Sequence, residues 1–222
     1  MISAVMLNWA RKDNVTNIVN SWRASALIDD AVIWNNNPQE RVEMPYQQLI
    51  VINSSHDMGV TTRFNAALLT KNNCILIQDD DLLLPANTLE QLYERWKEDP
   101  LIIHGLFGRR PQPDGTYGYE ARRSNMSCDI VLTRALLVSR LHIAHFFTEL
   151  PFFADILDEG VPKGNGEDIV FSYVVKHRTG KQNRVYDYPL IELPAHESIH
   201  KRWPDHKAHR TKIVQRCQKI LA

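Results

Sequence analysis

The chain has 222 residues, with Lys+Arg and Asp+Glu both totalling 26, enough for one good core or at most two small domains. That balance leaves no net field to recruit nucleic acid or an anionic membrane. A 44% hydrophobic fraction with five Trp excludes a disordered chain, and no apolar run approaches the length of a membrane span.

Ile2-Ser3-Ala4-Val5-Met6-Leu7-Asn8-Trp9 reads as a buried strand that stops at Arg11-Lys12-Asp13-Asn14. Val15, Ile18, Val19 and Trp22 then recur at the spacing of a helical face. Ala31–Trp34 is a second strand, ended by the turn-forming Asn35-Asn36-Asn37-Pro38, and Leu49–Ile52 a third. Phe64, Ala67 and Leu68 mark a helix before the run Cys74-Ile75-Leu76-Ile77-Gln78. Alternation of strand and helix over residues 1–85 predicts βαβ units and a mostly parallel sheet, a Rossmann-like nucleotide-binding half.

Thr88-Leu89-Glu90-Gln91 has the pattern of a capping box, with Leu89, Leu92, Tyr93 and Trp96 as the apolar stripe. Leu101–Gly105 and Cys128–Leu132 are strand-like, and a helix is expected from about Arg134. A loop at 162–166 precedes a helix bearing Ile169, Val170, Tyr173 and Val174. Asp205 can cap a last helix with Ile213, Val214, Cys217, Ile220 and Leu221 inward. No repeat or linker divides the chain, so one domain over 1–222 is expected, with 86–222 as a more irregular acceptor half and closing segment. Cys74, Cys128 and Cys217 cannot all pair and predict buried free thiols in a reducing compartment, hence a cytoplasmic location.

The chemistry concentrates in three places. Asp79-Asp80-Asp81 ends the fourth apolar run, where open α/β sheets bind ligands. An extended chain would point Asp79 and Asp81 the same way. Adjacent acids repel unless a cation joins them, and a hard divalent cation shared with phosphates is the natural neutraliser, Mn2+ or Mg2+. Glu167 and Asp168 follow Gly164-Asn165-Gly166 and open a helix whose N-terminus favours an ionised carboxylate. The tail crowds His196, His200, Lys201, Arg202, His206, Lys207, His209 and Arg210 together. Arg210 lies one turn before Ile213 and Val214, on the inward side, where a guanidinium can hold a diphosphate.

Taken in order, Asn8-Trp9-Ala10-Arg11-Lys12-Asp13, Val32-Ile33-Trp34-Asn35-Asn36, Thr62-Arg63-Phe64, Gln78-Asp79-Asp80-Asp81 and Asn165-Gly166-Glu167-Asp168-Ile169 resemble the exostosin-like glycosyltransferases of family 64. The resemblance covers nearly the whole chain. It implies a GT-A fold, a mixed α/β sheet flanked by helices, and metal-dependent retaining transfer from a UDP-N-acetylhexosamine to a glycan or other hydroxyl acceptor. By it, Arg11 and Asn35 hold the uridine, Asp79 or Asp80 the ribose and donor sugar, and Asp81 the metal. Arg63 stands in the donor site, and Asp168, beside Glu167, lies beneath the anomeric carbon. A tail arginine, Arg202, Arg210 or Arg216, clamps the diphosphate. Two positions depart from the family. Thr62 stands where an Asn is frequent, and Gly166 where secretory members carry a Cys bonded near the C-terminus, which leaves Cys217 without that partner.

Other readings use the same acids differently. An inverting transferase would make Asp168 the base, and a two-metal phosphohydrolase would need no acceptor. A nucleotide-sugar-binding scaffold would need no chemistry, and a soluble catalytic domain of a secretory-pathway enzyme is the alternative to a cytoplasmic one. Arg109, Arg110, Tyr117, Tyr119 and Asp129 are candidates for the acceptor side.

Overall fold

The computed structural model describes residues 1–118, 126–195 and 203–221. Its first strands are β1 (Ile2–Asn8), β2 (Ile28–Asn35), β3 (Leu49–Asn53) and β4 (Cys74–Asp79), with α1 (Lys12–Ala24) after β1 and α2 (Thr62–Leu68) before β4. All neighbouring pairs in the order β3-β2-β1-β4 are parallel, as the alternation of strands and helices requires. The order reverses at β1: the chain moves outward to β2 and β3 and returns to β4 on the other side. The crevice between the carboxyl ends of β1 and β4 is therefore a topological switch point.

The second half completes the same sheet. After the short β5 (Leu82–Leu83) and α3 (Ala86–Glu98) come β6 (His104–Gly105), β7 (Gly108–Arg109), β8 (Met126–Cys128), β9 (Ile130–Val131) and β10 (Ala135–Ser139). Then follow α4 (Arg140–Glu149), α5 (Ala154–Asp158), α6 (Glu167–Thr179), β11 (Asn183–Val185), β12 (Ile191–Glu192) and α7 (His206–Leu221). The eight-stranded order is β3-β2-β1-β4-β10-β6-β11-β8, with β12-β5 and β7-β9 as separate pairs. Because β10 runs antiparallel to both β4 and β6, the sheet is mixed, parallel from β3 to β4 and largely antiparallel beyond β4.

Alternation across the sheet sorts the core into two layers. Val5, Ile75, Ile77, Leu136 and Val138 face Phe64 of α2, Phe146 of α4, Phe171 of α6 and Val214 of α7. Ala4, Met6, Leu76 and Leu137 face Val15, Ile18 and Trp22 of α1 and Leu89 and Leu92 of α3. Strands covered on both faces are apolar at nearly every position, and β4 and β10 read that way.

Four expectations are corrected. The helix expected from Arg134 begins at Arg140, because Ala135–Ser139 is the fully buried strand β10. Cys128–Leu132 is split between β8 in the main sheet and β9 paired to β7. Thr88 caps nothing: α3 starts at Ala86 behind Pro85, and the Thr88 hydroxyl donates to the Pro189 carbonyl at 2.6 Å. Leu68 and Ile220 are exposed at 47% and 40%, at the ends of α2 and α7 where the inward stripe has rotated away. All three cysteines are free and buried, and burial pushes the Cys128 thiol up to about 12. Among the described residues, no helix is long and apolar enough to cross a membrane.

Candidate active site

The carboxyl end of β4 carries the acids, but the chain does not stay extended through them. Asp80 and Asp81 form a turn between β4 and β5, and Asp79 and Asp81 stay close enough for their charges to repel, which adds to burial in raising the Asp79 carboxyl. Asp80 and Asp81 share Arg11. Its Nη1 is hydrogen-bonded to Asp80 Oδ1 and stands 3.7 Å from Asp81 Oδ2. Arg11 is placed just before α1, where its N–H donates to the Asn8 side chain at the end of β1. The pair therefore spans the switch point. Burial, against the opposing pull of Arg11, pushes the Asp80 carboxyl up to about 6.

Asp79 turns to Arg63, whose Nη1 donates to Oδ1 at 2.8 Å. Arg63, on α2, is 7% exposed, and its Nε lies 3.5 Å from Glu167 Oε1. Thr133 donates to that same Glu167 oxygen at 2.9 Å. Arg63 thus joins two acid clusters 88 positions apart in sequence, Asp79 on β4 and Glu167 on α6. Burial holds the Asp79 and Glu167 carboxyls above their usual range, although Arg63 pulls each down.

Asp168 is bound by Arg210. Nη2 reaches both carboxylate oxygens at 2.8 and 2.7 Å, and Nη1 donates to Asn165 Oδ1 at 3.1 Å. The Arg210 guanidinium lies over the Tyr117 ring, 4.6 Å from its centroid. Arg216, a rival for the tail role, pairs with exposed Asp155 at 2.7 Å, away from these acids. Arg202, His196, His200, Lys201 and Tyr119 lie outside the described residues.

Gly166 is what lets α6 present Glu167 and Asp168 here. Its φ is +105°, a left-handed value that side chains disfavour, and a Cβ there would stand 2.2 Å from Ile213 Cδ1 of α7. Ile213 fills the space that a Cys at 166 would need.

A cleft of about 510 Å3 opens at the start of α1, lined by Ala10, Arg11, Lys12, Asp13, Asn14, Glu40, Arg41 and Pro194. This volume suits a small-molecule ligand. Asn35 is fully buried behind it, with its amide donating to the Glu40 and Asn37 carbonyls and to Asn53. Thr62 is also turned inward, its hydroxyl donating to the Gly59 carbonyl at 2.7 Å. Of the acceptor candidates, Arg109 donates to the Gly108 carbonyl at 2.7 Å and Arg110 to that of Ser127. Tyr117 is 2% exposed, and Asp129 pairs with Lys176 at 2.7 Å.

Sequence reasoning missed Arg134, Glu192 and Asn14. Arg134 donates to Asp81 and Glu192, and Asn14 donates to the carbonyls of Asp80 and Pro194, both at 2.9 Å. Arg134 stands immediately before an apolar run, the only signal that it opens a strand beside β4.

Among the described residues, no group of three or more His, Cys, Asp or Glu side chains could cage a metal. The oxygen donors do fit a hard cation that keeps waters and shares substrate phosphates. Asp79 is held through Oδ1 alone, and its side chain is 29% exposed. Asp81 is 18% exposed, with its Oδ2 no closer than 3.7 Å to Arg11.

The glycosyl transferase family 64 domain matches residues 2–222. Glucosamine inositolphosphorylceramide transferase 1 of Arabidopsis thaliana is 27% identical over 115 residues, which are 51% of this chain and 15% of that relative's length. The family match takes in the switch point, both acid-bearing segments and α7, and on that match the chain belongs to glycosyl transferase family 64.

Proposed function

We propose that the chain transfers an N-acetylhexosamine from a UDP-sugar to the hydroxyl of a glycan or other acceptor, with a divalent cation and with retention at the anomeric carbon. The observation that carries this reading is the convergence of Asp79, Glu167 and Arg63 beside the switch point, which brings the β4 acids and the α6 acids into one site. The Arabidopsis relative takes its name from glucosamine, which supports a hexosamine donor.

The cleft at Arg11 and Asn14 takes the uridine, with Asn35 holding the Glu40 backbone that forms its wall. In this reading Asp80 contacts the ribose and donor sugar. Asp81 and Asp79 would hold Mn2+ or Mg2+, which would supply positive charge for the leaving diphosphate. Arg210 is the described tail arginine beside the acids, and it neutralises the same developing charge. As the sugar–phosphate bond breaks, the anomeric carbon becomes cationic, and Asp168 faces it as a fixed negative charge.

Both Asp168 oxygens already accept hydrogen bonds from Arg210, which favours a charge stabiliser over the free base that inversion requires. Thermal melts with UDP, GDP, CMP and TMP, each with and without Mn2+, test the donor assignment, since a ligand of the native state raises the melting point. A shift confined to UDP with Mn2+ is expected. No shift with any pair would overturn the donor assignment.

A further inference from the structure

We propose that Arg134 sets the order in which the donor site is loaded: it keeps a bare divalent cation off Asp81 and admits the cation together with a nucleoside diphosphate. The inference rests on the metal-dependent reading above. Arg134 sits between β9 and β10, and its carbonyl accepts the Asp79 N–H at 2.9 Å. Its Nε and Nη2 donate to Asp81 Oδ1 at 3.3 and 3.2 Å. Nη1 donates to Glu192 Oε1 at 3.0 Å, and Nη2 also reaches Glu192 Oε2. The guanidinium lies over the Phe107 ring, 4.6 Å from its centroid. Backbone, two carboxylates and an aromatic face therefore hold one orientation, unlike a mobile surface pair.

The carboxylate assigned to the cation is thus flanked by two guanidiniums, Arg134 on Oδ1 and Arg11 toward Oδ2. A cation arriving alone must shed water and meet two positive charges in a site where screening is incomplete. A diphosphate reverses that balance. Its oxygens accept from guanidinium groups and ligate the cation at once. Cation and diphosphate then strengthen each other's binding, and linkage makes the effect reciprocal.

The test uses the full chain, with free Mn2+ followed by electron paramagnetic resonance in the absence of nucleotide. Calorimetry of UDP at saturating Mn2+ is run beside it. Arg134→Gln is expected to bind bare Mn2+ about tenfold tighter than wild type and to bind UDP with Mn2+ about tenfold more weakly. Arg134→Lys keeps the charge and should hold bare Mn2+ as weakly as wild type. Equal bare-metal affinity in Arg134→Gln and wild type overturns the inference. So does Arg134→Lys tightening Mn2+ as much as Arg134→Gln, which would assign the effect to shape rather than charge.

Should Arg134→Gln not fold, Glu192→Gln serves instead. Removing the second carboxylate leaves the Arg134 charge to Asp81 alone and weakens bare Mn2+ by about threefold, the size of one screened pair; an unchanged affinity overturns the inference. Wild type that binds UDP equally with and without Mn2+ removes the metal reading and this inference together. Mn2+-dependent UDP binding with an unaltered Arg134→Gln removes this inference alone.

Discussion

Asp168→Asn separates the two tasks given to the buried Asp168–Arg210 pair. The side chains are 7% and 6% exposed and share two hydrogen bonds of 2.8 and 2.7 Å. Removing one partner of such a pair leaves an uncompensated buried charge, at a cost of about 3–5 kcal/mol. Arg210 keeps the Asn165 oxygen at 3.1 Å and the Tyr117 ring face, and an Asn at 168 still offers one acceptor. The loss therefore belongs at the low end, about 3 kcal/mol, or roughly 6–12 °C of melting temperature for a chain of this size. Asp168→Leu combined with Arg210→Met should be less damaging than the sum of the single changes, by about 2 kcal/mol, because no lone charge remains. Transfer from a UDP-sugar should fall about 10²–10³-fold in Asp168→Asn at temperatures where the variant is folded. Urea melts of wild type, each single variant and the double variant, together with UDP release, measure both effects. Additive losses, or an Asp168→Asn protein that melts with wild type, would refute the buried-pair argument.

Asp81→Asn should abolish Mn2+-dependent UDP binding with little change in melting, since Arg134 keeps Glu192 and Arg11 keeps Asp80. Calorimetry showing UDP and metal bound as tightly as by wild type would sink the Asp81 assignment. Gly166→Ala forces a Cβ to 2.2 Å from Ile213 Cδ1 at a φ of +105° and should cost about 2–3 kcal/mol in urea melts. A loss under about 0.5 kcal/mol would show that α7 yields easily. Burial, and then His145, hold the His142 imidazole at about 4, below its ordinary 6.5. Its stabilising contribution is complete above pH 6.5 and lost as pH falls toward 4, because the unfolded chain takes up the proton first. His142→Gln should flatten the stability profile across that window by up to about 3 kcal/mol. An unchanged slope would place the proton uptake elsewhere.

The parallel half was legible because β1, β2 and β4 are apolar runs broken by helices of clear period. β10 is the same kind of run, yet Ala135-Leu136-Leu137-Val138 between Arg134 and Arg140 does not distinguish a strand from the start of a helix. Only its antiparallel pairing with β4 and β6 decides the matter. The acids were legible because consecutive carboxylates after a buried strand are unusual. Their partners were not. Arg11, Arg63 and Arg134 each take one of the three strand-end acids, and an arginine bound for a buried carboxylate has the same local signature as one on a solvated face. Repulsion among Asp79, Asp80 and Asp81 is thus relieved by guanidiniums, so the metal proposal rests on family membership and on the oxygen donors at the rim.

The most direct test of Asp168 as the charge beneath the donor sugar is time-resolved proton NMR of UDP-N-acetylhexosamine hydrolysis by the chain with Mn2+. Retention predicts that the released sugar appears first as the α anomer, the configuration of the donor, and only later equilibrates. A β anomer appearing first would make Asp168 a base for inversion and contradict its role as a fixed charge.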